Sequence, residues 1–184
     1  MSSRLDQVFA AIDAANAKDP GNACLIYGQR MSAELARIFG PDVSDVLQIA
    51  ARGQHIERWL SQRSDYPEGR AGYLQWRRDL GRAHGARLAG LMAEAGYDAQ
   101  DCARVGVLLR KEGLKRDSEV QALEDTICMV FLKWHLADFS KKHSPEKVLD
   151  IVAKTARKMS PEGRARVLAE FDLPNDYVAA LQAA

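Results

Sequence analysis

The residues best suited to chemistry lie at 123–132, LEDTICMVFL. From Ile127 onward this run is apolar on every face, which predicts a central, buried helix. Asp125 shares a helical stripe with Ala122, Met129, Leu132 and Leu136. A carboxylate entering a core is costly unless a cation, a metal or hydrogen-bond donors meet it. Two readings of Asp125 carry equal weight. It is a metal ligand or catalytic carboxylate, or it is half of a structural ion pair with one of the many arginines. Glu124 sits beside it on the neighbouring face, where it could act as a general base.

His84 falls on a helical face with Tyr73, Trp76, Leu80, Leu88 and Leu91, so it points inward, and Gly85 beside it leaves room for something to approach. A histidine in such a stripe is more often a satisfied core residue than a ligand. His55 lies off the apolar stripe of its segment, at a boundary suited to lining a cleft. His135 and His143 read as surface residues. Arg52, Arg58, Arg63, Arg70, Arg77 and Arg78 cluster around residues 61–70, interleaved with Trp59, Tyr66, Tyr73 and Trp76. Arginine recognises phosphate or carboxylate bidentately, and aromatic rings stack on a base. Most of these arginines are expected to pair with Glu57, Asp65, Glu68 and Asp79. Arg63 and Arg70, flanking a Tyr-Pro-x-Gly turn, are the best candidates for a phosphate. Lys111 is a further basic candidate that could face Asp125.

Positioning such groups falls to helices. Apolar residues recur at helical spacing, and no useful β-type alternation is present. Helices are expected over 5–17 and 31–39, from a cap at Asp42 or Ser44 to about residue 60, and over 71–95. Others should follow Asp98 to about residue 111 and run from about 118 to 141. Ser144-Pro145-Glu146 and Ser160-Pro161-Glu162 each place a cap, a first-turn proline and an acid in order, which marks a helix start. A last helix follows Pro174. The expectation is an all-α, single-domain bundle of roughly eight helices. Its core would span about 42–160, with 1–41 and 161–184 as helical extensions packed on it.

Composition narrows the function classes. A net charge of +1 favours no polyanionic partner for the whole molecule, so nucleic acid is not expected. The three cysteines, Cys24, Cys102 and Cys128, are far apart and form no C-x-x-C pair, which argues against a disulfide framework or a thiolate zinc site. No secretory leader or membrane-spanning run is read, and a reducing, cytoplasmic setting is expected. Phosphate-loop, dinucleotide, nucleophile-elbow and H-E-x-x-H motifs are absent.

The phrases QHIERW, SDYPEGRAGYLQWRRDL, AHGARLAGLMAEAGYD, LEDTICMVFL and KTARKMS together resemble the Domain of Unknown Function 4202 family, over about residues 46–160. That family implies no activity. A more distant resemblance is to the helical HD-type metal-dependent phosphohydrolases, through a histidine, a helix H-x-x-x-L-A-x-L-M-x-x-x-G-Y, a helix ending in LLRK, and then LED. It implies an HD-like core in which His55 matches the first histidine and Asp125 the last aspartate, with His84 as a further ligand to a divalent metal. The sequence departs from the pattern in lacking a His-Asp doublet, and it carries Lys111 where related proteins often have histidine.

Three functions follow as expectations. The first is a metal-dependent phosphohydrolase of a small phosphorylated compound or nucleotide. In it His55, His84 and Asp125 hold the metal, Glu124 and Asp125 are catalytic, and Arg63, Arg70 and Lys111 bind the phosphate. The second is a non-catalytic derivative that binds a phosphorylated or nucleotide ligand without metal. The third is a protein-interaction module, with a homodimer through the Ala-rich terminal segments.

Overall fold

A computed structural model describes residues 2–184. It is all-α: ten helices and no strand among the described residues, rather than the eight helices expected. The chain forms two compact units, one extending to Glu112 and the other spanning Gly113–Ala184.

In the first unit, α1 (Arg4–Asn16) opens on a capping box in which Ser3 and Asp6 satisfy each other's backbone N–H. The Asp19-Pro20-Gly21 stop after α1 also starts α2 (Ala23–Phe39). The Asp19 carboxylate accepts the Gly21 and Cys24 N–H groups, so α2 begins eight residues before the expected start at 31. Helix α3 (Asp45–Arg52) is capped by Ser44 and stops well short of residue 60. Beyond Gly53 the chain turns, and Glu57 adopts a left-handed conformation (φ 52°) with its N–H bonded to the buried Asn16 Oδ1 at 3.0 Å. Two single 3-10 turns, Arg58–Leu60 and Arg63–Asp65, carry the chain to α4 (Gly69–Glu94). Asp98 caps α5 (Ala99–Arg110), which ends on Lys111 in the left-handed region (φ 59°).

Helices α4 and α5 form the most extensive pair of this unit. Two glycines of α4 allow it. A Cβ at Gly81 would lie 3.1 Å from the Leu109 carbonyl oxygen, and one at Gly85 would lie 3.1 Å from the α-carbon of Gly106. The room beside His84 is therefore filled by α5 itself. Ile12, Met31, Leu35, Ile49, Ile56, Leu88, Met92 and Leu108 form the fully buried core.

In the second unit, α6 (Ser118–Val130) passes through a π-helical turn, Phe131–His135, into the short α7 (Leu136–Ser140). Helices α8 (Pro145–Lys158) and α9 (Pro161–Glu170) start at the two Ser-Pro-Glu signals, and α10 (Asn175–Gln182) follows Pro174. Helix α10 packs mainly on α8, and α6 packs on α8 and α9. Leu123, Met129, Met159 and Leu181 are fully buried here. Among the described residues, no helix is long and apolar enough to cross a membrane.

Candidate functional site: a basic cavity in the first unit

A cavity of about 430 Å³ opens in the first unit. One wall is the turn after α3, with Gln54, His55 and Arg58. A second is α4, with Leu74, Arg77, Arg78, Leu80, Gly81, Arg82 and His84. The third is the end of α5, with Leu109, Arg110, Lys111 and Glu112. Close packing at Gly81 sets the second and third walls side by side.

Six cationic side chains face one carboxylate, Glu112, and that carboxylate is bonded to Arg110 at 2.7 and 3.2 Å. Arg58 lies over the Trp76 ring, 4.6 Å from its centroid. Burial, and then the neighbouring Arg77, push the Arg58 guanidinium below its usual pKa. Arg82 reaches only Asp79, at 3.8 Å and largely in solvent. Among the described residues neither Arg77 nor Arg78 has an ion pair, and Arg77 is half-buried. Arg58, Arg77 and Arg78 therefore concentrate positive charge to which, among the described residues, no carboxylate is paired.

Both histidines of this cavity are neutral. His55 stacks on Tyr27 with centroids 3.9 Å apart and planes 17° from parallel. Burial, followed by the charge of Arg58, holds its pKa well below the ordinary value. His84 is 6% exposed. Burial, then Arg58, depress its pKa to about 4, against the opposing pull of a hydrogen bond to the Gln54 main chain. Its Nε2 is buried and has no hydrogen-bond partner, and the same is true of Gln54 Oε1.

Of the other residues named from sequence, Lys111 lines this cavity with His55 and His84. Arg63 instead donates to the Tyr66 and Gly69 carbonyls, tying down its own turn, and Arg70 is exposed in the first turn of α4. Neither is among the lining residues.

Asp125 and Glu124 belong to the second unit, both buried. The Asp125 carboxylate meets neither arginine nor lysine there. Its Oδ1 accepts the Ser160 N–H at 2.8 Å and a Gln121 amide N–H at 2.9 Å, and its Oδ2 accepts the Ser160 hydroxyl at 2.5 Å. Ser160 is itself the N-cap of α9 and accepts the Gly163 N–H. Asp125 thus anchors the positive end of a helix. A Cβ at Gly163 would fall 2.9 Å from its carboxyl carbon, so the fit leaves no spare room. Glu124 faces Lys158 at 3.8 Å. Among the described residues, no three of His, Cys, Asp and Glu are grouped as a metal site requires.

Sequence reasoning missed Gln54 and undervalued Arg58 and Arg77. The available signal for the arginines was their spacing. Arg77 falls one turn before Gly81 and two before His84 and Gly85, on the side of α4 that meets α5. No local signal marks Gln54.

These features define an all-helical protein whose most developed site is a basic, two-histidine cavity. A family model described as Domain of unknown function (DUF4202) matches residues 6–181, nearly the whole chain, and the protein belongs to that family. No curated protein and no solved structure matches it significantly.

Proposed function

We propose that the protein binds a small phosphorylated compound in the cavity of the first unit, without a metal and without catalysis. The observation that carries this reading is the unbalanced charge at Arg58, Arg77 and Arg78, set around two neutral histidines. A dianionic phosphate would offset the burial and the Arg77 charge that together depress Arg58, and guanidinium groups suit its oxygens. The same field opposes a divalent cation.

Thermal unfolding with phosphate esters in the presence of EDTA tests it. Binding at a hundredfold excess over Kd stabilises by about 2.7 kcal/mol, which for a chain of this size raises Tm by roughly 5–11 °C. Arg77→Ala should weaken binding about tenfold to a hundredfold, the worth of one charge-assisted contact. Absence of any shift with inorganic phosphate, alkyl phosphates, sugar phosphates and nucleotides would sink the proposal.

A competing reading is the HD-type metal-dependent phosphohydrolase, with His55 and His84 as metal ligands and Lys111 on the phosphate. The placement of His55, His84 and Lys111 on one cavity supports it. It requires stabilisation or hydrolysis that EDTA abolishes and a divalent metal restores.

A further inference from the structure

Resting on the phosphate-binding reading above, we infer that the cavity selects a phosphate ester carrying hydroxyl groups, such as a sugar phosphate, because two of its wall residues carry buried, unpartnered hydrogen-bond acceptors. These are His84 Nε2 and Gln54 Oε1, on side chains each 6% exposed and both lining the cavity.

The assignment of both as acceptors follows from local chemistry. The His84 ring is neutral, so it carries one N–H. That N–H is committed to the Gln54 main-chain carbonyl, which leaves Nε2 a bare lone pair. Gln54 Oε1 is a carbonyl oxygen and can only accept. Neither atom can satisfy the other. Both atoms are buried, and acceptors left empty carry a desolvation penalty that a ligand donor removes once the two side chains turn toward it. The cationic groups, by contrast, are donors. The cavity therefore divides into a donor-rich part, fit for phosphate oxygens, and an acceptor pair, fit for ligand O–H groups. A bare phosphate or an alkyl phosphate fills only the first. Sites that hydrogen-bond a ligand hydroxyl discriminate strongly against analogues lacking it, because their own polar groups are then left unpaired.

The experiment compares ribose 5-phosphate with ethyl phosphate by isothermal titration calorimetry on the full chain. Ribose 5-phosphate should bind at least tenfold more tightly. Gln54→Leu should collapse that ratio toward one while ethyl phosphate affinity is retained. Gln54→Glu, which keeps an acceptor in place, should preserve the ratio even if both affinities fall. Nitrogen NMR of wild-type protein supplies a readout that needs no variant. The His84 Nε2 resonance should move upfield on adding ribose 5-phosphate and stay put with ethyl phosphate. Equal affinities for the two esters, or an unmoved Nε2 resonance, overturn the selectivity while leaving phosphate binding standing. Failure of both esters and of inorganic phosphate to bind overturns the phosphate reading and the selectivity with it.

Discussion

Replacing Asp125 with asparagine separates a structural carboxylate from a functional one. In the native second unit, Oδ1 takes the Ser160 and Gln121 N–H groups and Oδ2 takes the Ser160 hydroxyl proton. An asparagine carbonyl at the Oδ1 position preserves the first two bonds, now without a full charge behind them. The amide nitrogen then faces Ser160 Oγ. That hydroxyl already accepts from Gly163 N–H and can accept once more, but its own proton is left without a partner. One charge-assisted bond is reversed and two are weakened, at a cost of about 2 kcal/mol. For a chain of this size, that lowers Tm by roughly 4–8 °C. Differential scanning calorimetry of Asp125→Asn against wild type, at neutral pH and without ligand, reads it directly. A carboxylate held for catalysis or for a metal behaves in the opposite way. Removing it from an empty site relieves strain, and stability holds or rises while function is lost. An unchanged or raised Tm would refute the anchoring argument made for α9.

Two further outcomes follow from the first unit. His84 has a folded pKa near 4 against an unfolded value near 6.5, so below pH 6.5 the unfolded chain binds the proton first. Stability from this group is thus complete above pH 6.5 and is lost as pH falls toward 4. The full loss is about 3 kcal/mol, and His55, shifted in the same direction, adds to it. Urea denaturation across this range should show the slope, reduced in His84→Gln; an equal slope in that variant would argue against it. Gly72→Ala should destabilise by about 1–3 kcal/mol, because its Cβ would sit 1.9 Å from the Pro67 carbonyl oxygen, a backbone atom that cannot swing aside. A Tm within a degree of wild type would contradict that.

The parts of the fold written in local chemistry were legible. Ser44, Asp98, Ser144 and Ser160 all cap the helices expected of them, because a cap satisfies N–H groups two or three residues away. The start of α2 was not legible. Asn22 makes no side-chain cap, and Asp19, which reads as part of a stop signal, bonds the Cys24 N–H from five residues upstream. The early end of α3 depends on Asn16, 41 residues from Glu57, and no periodicity encodes that distance. The inward aim of His84 could be read from its stripe, since Leu80 and Leu88 are buried with it. The partner of Asp125 was the harder question. Sequence offered cations by the dozen, whereas the structure uses a helix N-terminus brought in from residue 160. Gln54 carries no chemical signature at all until the cavity around it exists.

Lys111 ends α5 in a left-handed conformation, with its N–H bonded to Leu108 and the next N–H reaching back to Val107. Glycine would adopt that geometry freely, whereas a side chain there costs roughly 1 kcal/mol. A programme that selected variants for heat resistance alone would therefore favour glycine at this position. Each gain in melting temperature would remove a positive charge from the cavity wall. On the phosphate-binding proposal, thermostability and ligand capture pull this single residue in opposite directions.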